Sequence, residues 1–275
     1  MDRVLFCPPT YFDVRDVKNP FMQDAAPVDK DLALRQWEEV RRAFEEAGYA
    51  LALMEAVSEL EDMVFANNPV FVGSGEGGQP FIVPSRMRFP SRQREVPHYV
   101  EWFRERGYRV LELDMGSEDF LEGHGDLLWN ADFSCVWAGH GIRSTRGGVE
   151  EFAQALAPMD IEVIPLELVD PRFYHLDTCL APLTPEALLV YPGAFAAEGL
   201  AIIHSRCPRV YEVGTEDALQ FVCNGVAAGG RFITPQLTPR LTQALAIEGL
   251  RPVRVETSEF EKSGGSVCCL KLFVK

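Results

Sequence analysis

Residues 258–272 read SEFEKSGGSVCCLKL, and the interpretation of the chain turns on this stretch. Two glycines, Gly264 and Gly265, precede a cysteine pair, Cys268 and Cys269, in an apolar run of strand-like composition. Glycine tolerates positive φ and lets backbone approach a ligand closely. A turn of this kind can lift the first residues of the next strand into a cleft. A thiol there becomes a nucleophile once its pKa is lowered. Taken alone, the pair reads better as two small buried hydrophobes, the usual situation of free cysteine. Other segments reverse that preference.

The bulk properties narrow the field. The chain has 275 residues, enough for one large domain or two modest ones with a sizeable core. Its hydrophobic content of 47% and charged content of 24% are those of an ordinary globular protein. The net charge of −15 argues against nucleic acid and anionic membrane surfaces as partners, because both need basic surface. It suits a small cationic substrate. No apolar run approaches the roughly 18 residues of a membrane span. The start, MDRVLFCPPTYFDV, lacks the regions of a secretion signal. Cys7, Cys135, Cys179, Cys207, Cys223, Cys268 and Cys269 form an odd, scattered set without C-x-x-C. That pattern fits free thiols in a reducing cytoplasm better than a disulfide framework or a zinc site.

Along the chain, periodicity predicts helices over residues 31–47, 97–106, 148–157, 195–203 and 238–248. In the first of these, Leu34, Trp37, Val40 and Phe44 fall largely on one side, and Gly48 is the expected stop. Short apolar runs between the helices predict strands, among them 4–6, 49–54, 70–72, 81–83, 127–129, 174–180, 187–191 and 267–272. A pair of short strands, a helix and another strand recur about five times, over roughly 50 residues each. The rhythm fits either a doubly wound sheet or a ring of small α/β units. No Pro/Ser-rich linker divides it, so one domain over residues 1–275 is expected. Residues 73–78 match G-x-G-x-x-G, but Gln79-Pro80 and another apolar run follow. A dinucleotide fold needs a helix N-terminus there to hold the pyrophosphate, so the glycines read as a loop.

Three further clusters carry candidate chemistry. In FYHLDT, residues 173–178, a strand would point His175 and Asp177 the same way. A histidine beside a carboxylate can serve as general acid or base, although such pairs are often purely structural. In EGHGD, residues 122–126, two carboxylates flank a glycine-rich bend that can aim Glu122 into a cavity, or simply be a solvated turn. In ANNP, residues 66–69, an Asn-rich turn lies between apolar bursts and can present an amide. Cys, His and acidic residues on separate segments are the components of a thiol nucleophile with its base and orienting group.

Taken together and in order, DMVFANN, LEGHGD, FYHLDT and SEFEKSGGSVCCL resemble the guanidino-group-modifying superfamily. It includes dimethylarginine dimethylaminohydrolases, arginine deiminases, arginine dihydrolases and amidinotransferases. The resemblance covers nearly the whole chain. It implies a five-bladed α/β propeller of ββαβ units, which accounts for the rhythm. It implies that Cys269 is the nucleophile, His175 the general acid/base, and Glu122 the acid that orients the histidine or holds the guanidinium. Asp177 is expected to grip the guanidinium nitrogens. Arg143, in AGHGIRST, resembles an arginine that binds the substrate carboxylate, and Arg88, in MRFPSRQRE, is a second candidate for that task. Cys268 is expected to alternate to the other face of a strand and receives no role. No metal or organic cofactor is implied.

One departure stands out. Where deiminases and dimethylaminohydrolases carry a carboxylate, this chain has Asn67 and Asn68. It resembles the arginine dihydrolases here, with a further asparagine, Asn19, before Pro20. Asn68 and Asn19 therefore join the expected substrate-binding set. An amide grips a guanidinium less strongly than a carboxylate does, which can leave a ureido product reactive and open to a second hydrolysis. The resemblance implies a hydrolase of arginine or a methylated arginine, giving citrulline or ornithine. An amidinotransferase and a non-catalytic guanidino-binding protein are the alternatives. The oligomeric state is not legible in the sequence.

Overall fold

The computed structural model describes residues 3–275. Its strands form five sheets of three strands each. In four of them a hairpin leads through a helix to a third strand that returns parallel to the hairpin's second strand. The first comprises β3 (Val70–Ser74), β4 (Pro80–Pro84) and β5 (Arg109–Val110), joined through α2 (Val96–Arg104). The next comprises β6 (Leu127–Trp129), β7 (Cys135–His140) and β8 (Glu162–Glu167), joined through α3 (Arg146–Leu156). Then come β9 (Leu180–Thr184), β10 (Ala187–Val190) and β11 (Arg209–Glu212), joined through α4 (Ala197–Arg206). The fourth is β12 (Val226–Ala228), β13 (Arg231–Thr234) and β14 (Arg251–Arg254), joined through α5 (Pro239–Ile247).

The remaining sheet draws on both ends of the chain. β1 (Arg3–Phe6) runs through α1 (Lys30–Glu46) to β2 (Ala50–Leu53), which lies parallel to it. Its antiparallel partner is β15 (Leu272–Val274), with Leu5 opposite Leu272.

Local chemistry sets the boundaries of these elements. Asp29, Thr145 and Thr238 each accept a backbone N–H from the first turn of α1, α3 and α5, satisfying donors that a helix start leaves orphaned. Gly48, at φ +94°, ends α1 as expected. The helix buries Ala33, Trp37, Val40 and Phe44, whereas Leu34 is 48% exposed. It lies at the edge of the apolar stripe, where the 3.6-residue period carries it past the core. The 73–78 glycines form the turn between β3 and β4, closed by a Gly75 N–H to Gln79 carbonyl bond of 2.9 Å, and no helix follows.

Two expected strands are helical turns instead. Residues 176–178 form one turn of 3-10 helix, and β9 starts only at Leu180. Val267–Leu270 is a single helical turn before β15. The propensity of these apolar, β-branched or Cys-rich runs favours strand, but tertiary hydrogen bonds to neighbouring turns override it.

Candidate active site

Each sheet has a turn immediately before its first strand, and these five turns meet. They carry Asn67 and Asn68 before β3, Glu122 to Asp126 before β6, and His175 to Thr178 before β9. Asn224 lies before β12, and Cys268 and Cys269 lie before β15. Hydrogen bonds link the turns in a closed cycle. The His124 N–H donates to the Asn67 carbonyl at 2.9 Å. The Leu176 N–H donates to Asp126 Oδ1 at 3.1 Å. Asn224 Nδ2 donates to the Asp177 carbonyl at 2.9 Å. The Ser266 and Cys268 N–H groups donate to Asn224 Oδ1 at 3.0 and 3.2 Å. The Asn67 N–H donates to the Cys269 carbonyl at 3.2 Å and completes the ring.

Within that ring the sequence-selected groups come together. The Cys269 thiol donates to Asp177 Oδ2 at 3.1 Å and accepts from Asn224 Nδ2 at 3.4 Å. His175 Nε2 lies 2.8 Å from Glu122 Oε2. Glu122 is fully buried and also accepts the Arg88 N–H at 2.8 Å and Arg143 Nε at 3.3 Å. Burial alone would raise its pKa. The Arg143 guanidinium and the hydrogen bond and charge of His175 outweigh burial and hold the carboxyl well below the usual range. An ionised carboxylate only accepts, so His175 carries a proton on Nε2 and its Nδ1 is the atom open to further proton transfer. A Cβ on Gly125 would sit 3.0 Å from that Nδ1 and 2.4 Å from Asn68 Nδ2, so only glycine fits beneath the histidine.

Asp177 behaves differently. Its Oδ2 accepts from Asn67 Nδ2 at 3.1 Å and from the thiol, whereas its Oδ1 is buried without a partner. Burial raises its pKa to about 6, against the lowering effect of Cys269 and Lys271. Burial, then the Asp177 charge, pushes the Cys269 thiol well above its ordinary value. The free site therefore stores a protonated thiol beside an acceptor that lacks a donor.

A small cavity of about 20 Å³ opens onto Cys269, bordered by Asn19, Asn68, Arg92, Arg143, Tyr174 and Lys18. Asn68 Nδ2 is buried without a partner, while its Oδ1 accepts from Arg92 at 3.1 Å. Asn19 is already engaged: its Nδ2 donates to the Ser263 carbonyl at 2.9 Å and its Oδ1 accepts the Phe21 N–H at 3.0 Å. Arg143 lies over the Phe89 and Tyr174 rings at 4.7 and 5.2 Å. Arg88 does not line the cavity. Its Nε donates to the Arg143 carbonyl at 3.1 Å, and its guanidinium packs on Phe120 at 4.7 Å. Cys268 and Cys269 do line different cavities, but they are separated by the roughly 100° step of a helical turn and not by strand alternation.

Sequence reasoning missed Asn224, Lys18 and Arg92. Buried Lys18 pairs with Asp62 at 3.1 Å, and buried Arg92 pairs with Glu95 at 2.9 Å. Asn224 had a usable signal, because it precedes a first strand at the same point of the period as Asn67 and Asn68. Arg92 lay in a basic stretch where neither its burial nor its partner at i+3 was marked. A larger cavity lies on the other side of the ring, away from Cys269.

Comparison with known proteins places this geometry. The family model described as N,N dimethylarginine dimethylhydrolase, eukaryotic, matches residues 8–273. The N(G),N(G)-dimethylarginine dimethylaminohydrolase of Mycobacterium tuberculosis is 36% identical over 270 residues, covering 98% of this chain and 85% of that protein. The bifunctional arginine dihydrolase/ornithine cyclodeaminase ArgZ of Synechocystis sp. is 36% identical over 275 residues, covering 99% of this chain but 37% of that protein. The substrate-bound N-terminal domain of ArgZ, an arginine dihydrolase of cyanobacteria, superposes with a TM-score of 0.90 at 34% identity, covering 98% and 97% of the two chains. A variant of the same domain covalently bound to a reaction intermediate also superposes at 0.90.

Proposed function

The chain belongs to the N,N dimethylarginine dimethylhydrolase family, and on that premise we propose that it hydrolyses the guanidinium group of arginine through a covalent adduct on Cys269. The observation that carries this reading is the Cys269 thiol held 3.1 Å from a carboxylate whose second oxygen is buried without a partner. A guanidinium supplies both the donor that Asp177 Oδ1 lacks and the positive charge that draws the thiol toward thiolate.

The reaction then runs in two halves. The Cys269 thiol gives its proton to His175 as the sulfur attacks the guanidinium carbon, and a C–S bond forms. The C–N bond to a terminal nitrogen breaks, and His175 delivers the proton that lets it leave as ammonia. His175, held by Glu122, next takes a proton from water. The resulting hydroxide attacks the thiouronium carbon, the C–S bond breaks, and a ureido product leaves. Asp177 and Glu122 balance the cation in a site with room for about one water. Lys18, Asn19 and Met22 line the same cavity.

Asn68 faces the cavity where a carboxylate would hold the guanidinium more firmly, and its buried amide donor awaits an acceptor. A ureido oxygen is such an acceptor. This favours a second passage through the same chemistry, with ornithine as the end product, as the name arginine dihydrolase describes for ArgZ. The equal identity to the M. tuberculosis dimethylaminohydrolase supports asymmetric dimethylarginine as the second substrate to test. The closed cycle of bonds between turns supports one domain, a five-bladed α/β propeller whose blades are the ββαβ units. The test is mass spectrometry of products from each substrate, alongside Cys269→Ala. Ornithine with two ammonia per arginine is expected from the native enzyme. Cys269→Ala should retain its fold by circular dichroism and lose turnover. Normal turnover in that variant overturns the assignment.

A further inference from the structure

The ring of turns has a second side. There a cavity of about 220 Å³ is lined by Tyr49, Trp129, Phe133, Phe273, Cys268 and Lys271, among others. Among the described residues its lining contains no aspartate or glutamate. The one histidine, His124, accepts the Val72 N–H on Nε2 and meets the Leu127 carbonyl through Nδ1. Burial, then the Lys271 charge, lowers its pKa to about 3, so it stays neutral.

Lys271 is therefore the one charged group among the described residues of the lining, in a chain of net charge −15. It is 6% exposed, and among the described residues no carboxylate lies within ion-pair distance of it. Its Nζ meets Asn67 Oδ1 at 3.4 Å, the Cys268 thiol and the face of Phe273 at 4.9 Å, and the nearest carboxylate whose charge it feels, Asp177, lies beyond Asn67. A buried ammonium ordinarily has an anionic partner. At the mouth, Phe133 is 50% exposed and held at φ +61°, a conformation costly for a bulky residue. Its ring packs edge-on against Trp129 at 5.7 Å.

We propose that this cavity is a binding site for a small monocarboxylate with an apolar body, its carboxylate on Lys271 and its body among Trp129, Phe133 and Phe273. The volume is below the roughly 300–1,000 Å³ of drug-sized sites, which limits the ligand to about the size of benzoate. A phosphate or dicarboxylate fits poorly, because the lining offers one cation and otherwise mostly apolar surface. The site is separate from the reaction cavity but not isolated from it. Asn67 receives Lys271 on Oδ1 and donates from Nδ2 to Asp177 Oδ2, which in turn receives the Cys269 thiol. A carboxylate that takes up Lys271 reaches the nucleophile through those bonds.

The experiment is calorimetric titration of the native protein with benzoate and, in parallel, benzamide. Benzoate is expected to bind with a Kd of about 1 mM or below, and benzamide at least tenfold more weakly. Lys271→Met should weaken benzoate at least tenfold. Ala227→Trp, which adds bulk to the lining and leaves Lys271 itself in place, should do the same and guards against misfolding of the first variant. Saturating arginine on Cys269→Ser should leave benzoate binding in place. Equal binding of benzoate and benzamide, no binding of either, or displacement of benzoate by arginine overturns the proposal. None of these readouts depends on which reaction the enzyme performs.

Discussion

Asp177→Asn is expected to separate stability from function. In the free protein Asp177 is fully buried, with one oxygen unpaired and a pKa raised from 3.8 to about 6. A folded-state pKa above the unfolded one means that protonation favours the fold. The contribution is complete below pH 3.8 and is lost as pH rises through about 6. A shift of about 2 units corresponds to about 3 kcal/mol lost by pH 7. Asparagine is isosteric. Its Oδ1 can still accept from Asn67 and the thiol, leaving its amide where Asp177 Oδ1 has no partner. An unpaired amide donor offsets part of the gain, so the variant should be more stable than native by about 1–3 kcal/mol at pH 7. Urea unfolding of both proteins in steps from pH 4.5 to 7.5 gives the difference curve. Asp126, whose pKa is also raised to about 6 by burial, titrates in both and cancels. The difference should grow with pH, while turnover falls at least about a hundredfold for loss of the charge facing the substrate. A flat difference curve, or a variant less stable than native at pH 7, refutes the reasoning.

Glu122→Gln should act in the opposite sense, because it leaves buried Arg143 unbalanced. A loss of about 3–5 kcal/mol in urea unfolding is expected. Since the Glu122 pKa is depressed, the gap to native should be full at neutral pH and shrink as pH falls below about 4. Asn224→Ala removes the acceptor of the Ser266 and Cys268 N–H groups and the donor to Cys269. Stability should drop by about 1–3 kcal/mol for each buried group left unpaired, and kcat should fall more than KM changes. Gly125→Ala places a Cβ against His175 Nδ1 and Asn68 Nδ2. It should lower kcat at least tenfold, read in a steady-state assay beside a thermal melt; native kcat would show that the contact relaxes freely.

The rhythm of strand pair, helix and strand was legible because each helix has its own apolar stripe and each hairpin its own turn residues, as at Gly229-Gly230 between β12 and β13. The four motifs that carry the resemblance all fall in the turns before first strands. What sequence could not mark was which polar residues those turns would bury. Asn224 looks like any turn asparagine, and the four hydrogen bonds of its side chain go to residues about 45 positions away in either direction. The strand assignment for residues 267–270 failed for the same reason. The run is apolar on all sides and has no period to read, and its conformation is set by Asn224 Oδ1 capturing the backbone donors of Ser266, just before it, and of Cys268 within it.

That dependence runs round the whole ring. Asn68, Glu122, His175 with Asp177, Asn224 and Cys269 come from five different turns. Each turn is tied to the next through backbone groups and not through side-chain packing alone. Such bonds fix positions more tightly than rotamer packing does, which is what a constellation of buried charges requires. Cys269 sits at the weakest point of this scheme for a folding chain. Its turn leads directly into β15, which joins β1 at the other end of the sequence. The last sheet and the last link of the hydrogen-bond cycle, from Asn67 to Cys269, therefore involve the same C-terminal segment. Until that segment docks, Asp177 lacks the thiol on its Oδ2 and Asn67 lacks the Cys269 carbonyl. The contact between the Cys269 thiol and Asp177 is thus made only when β15 has joined β1.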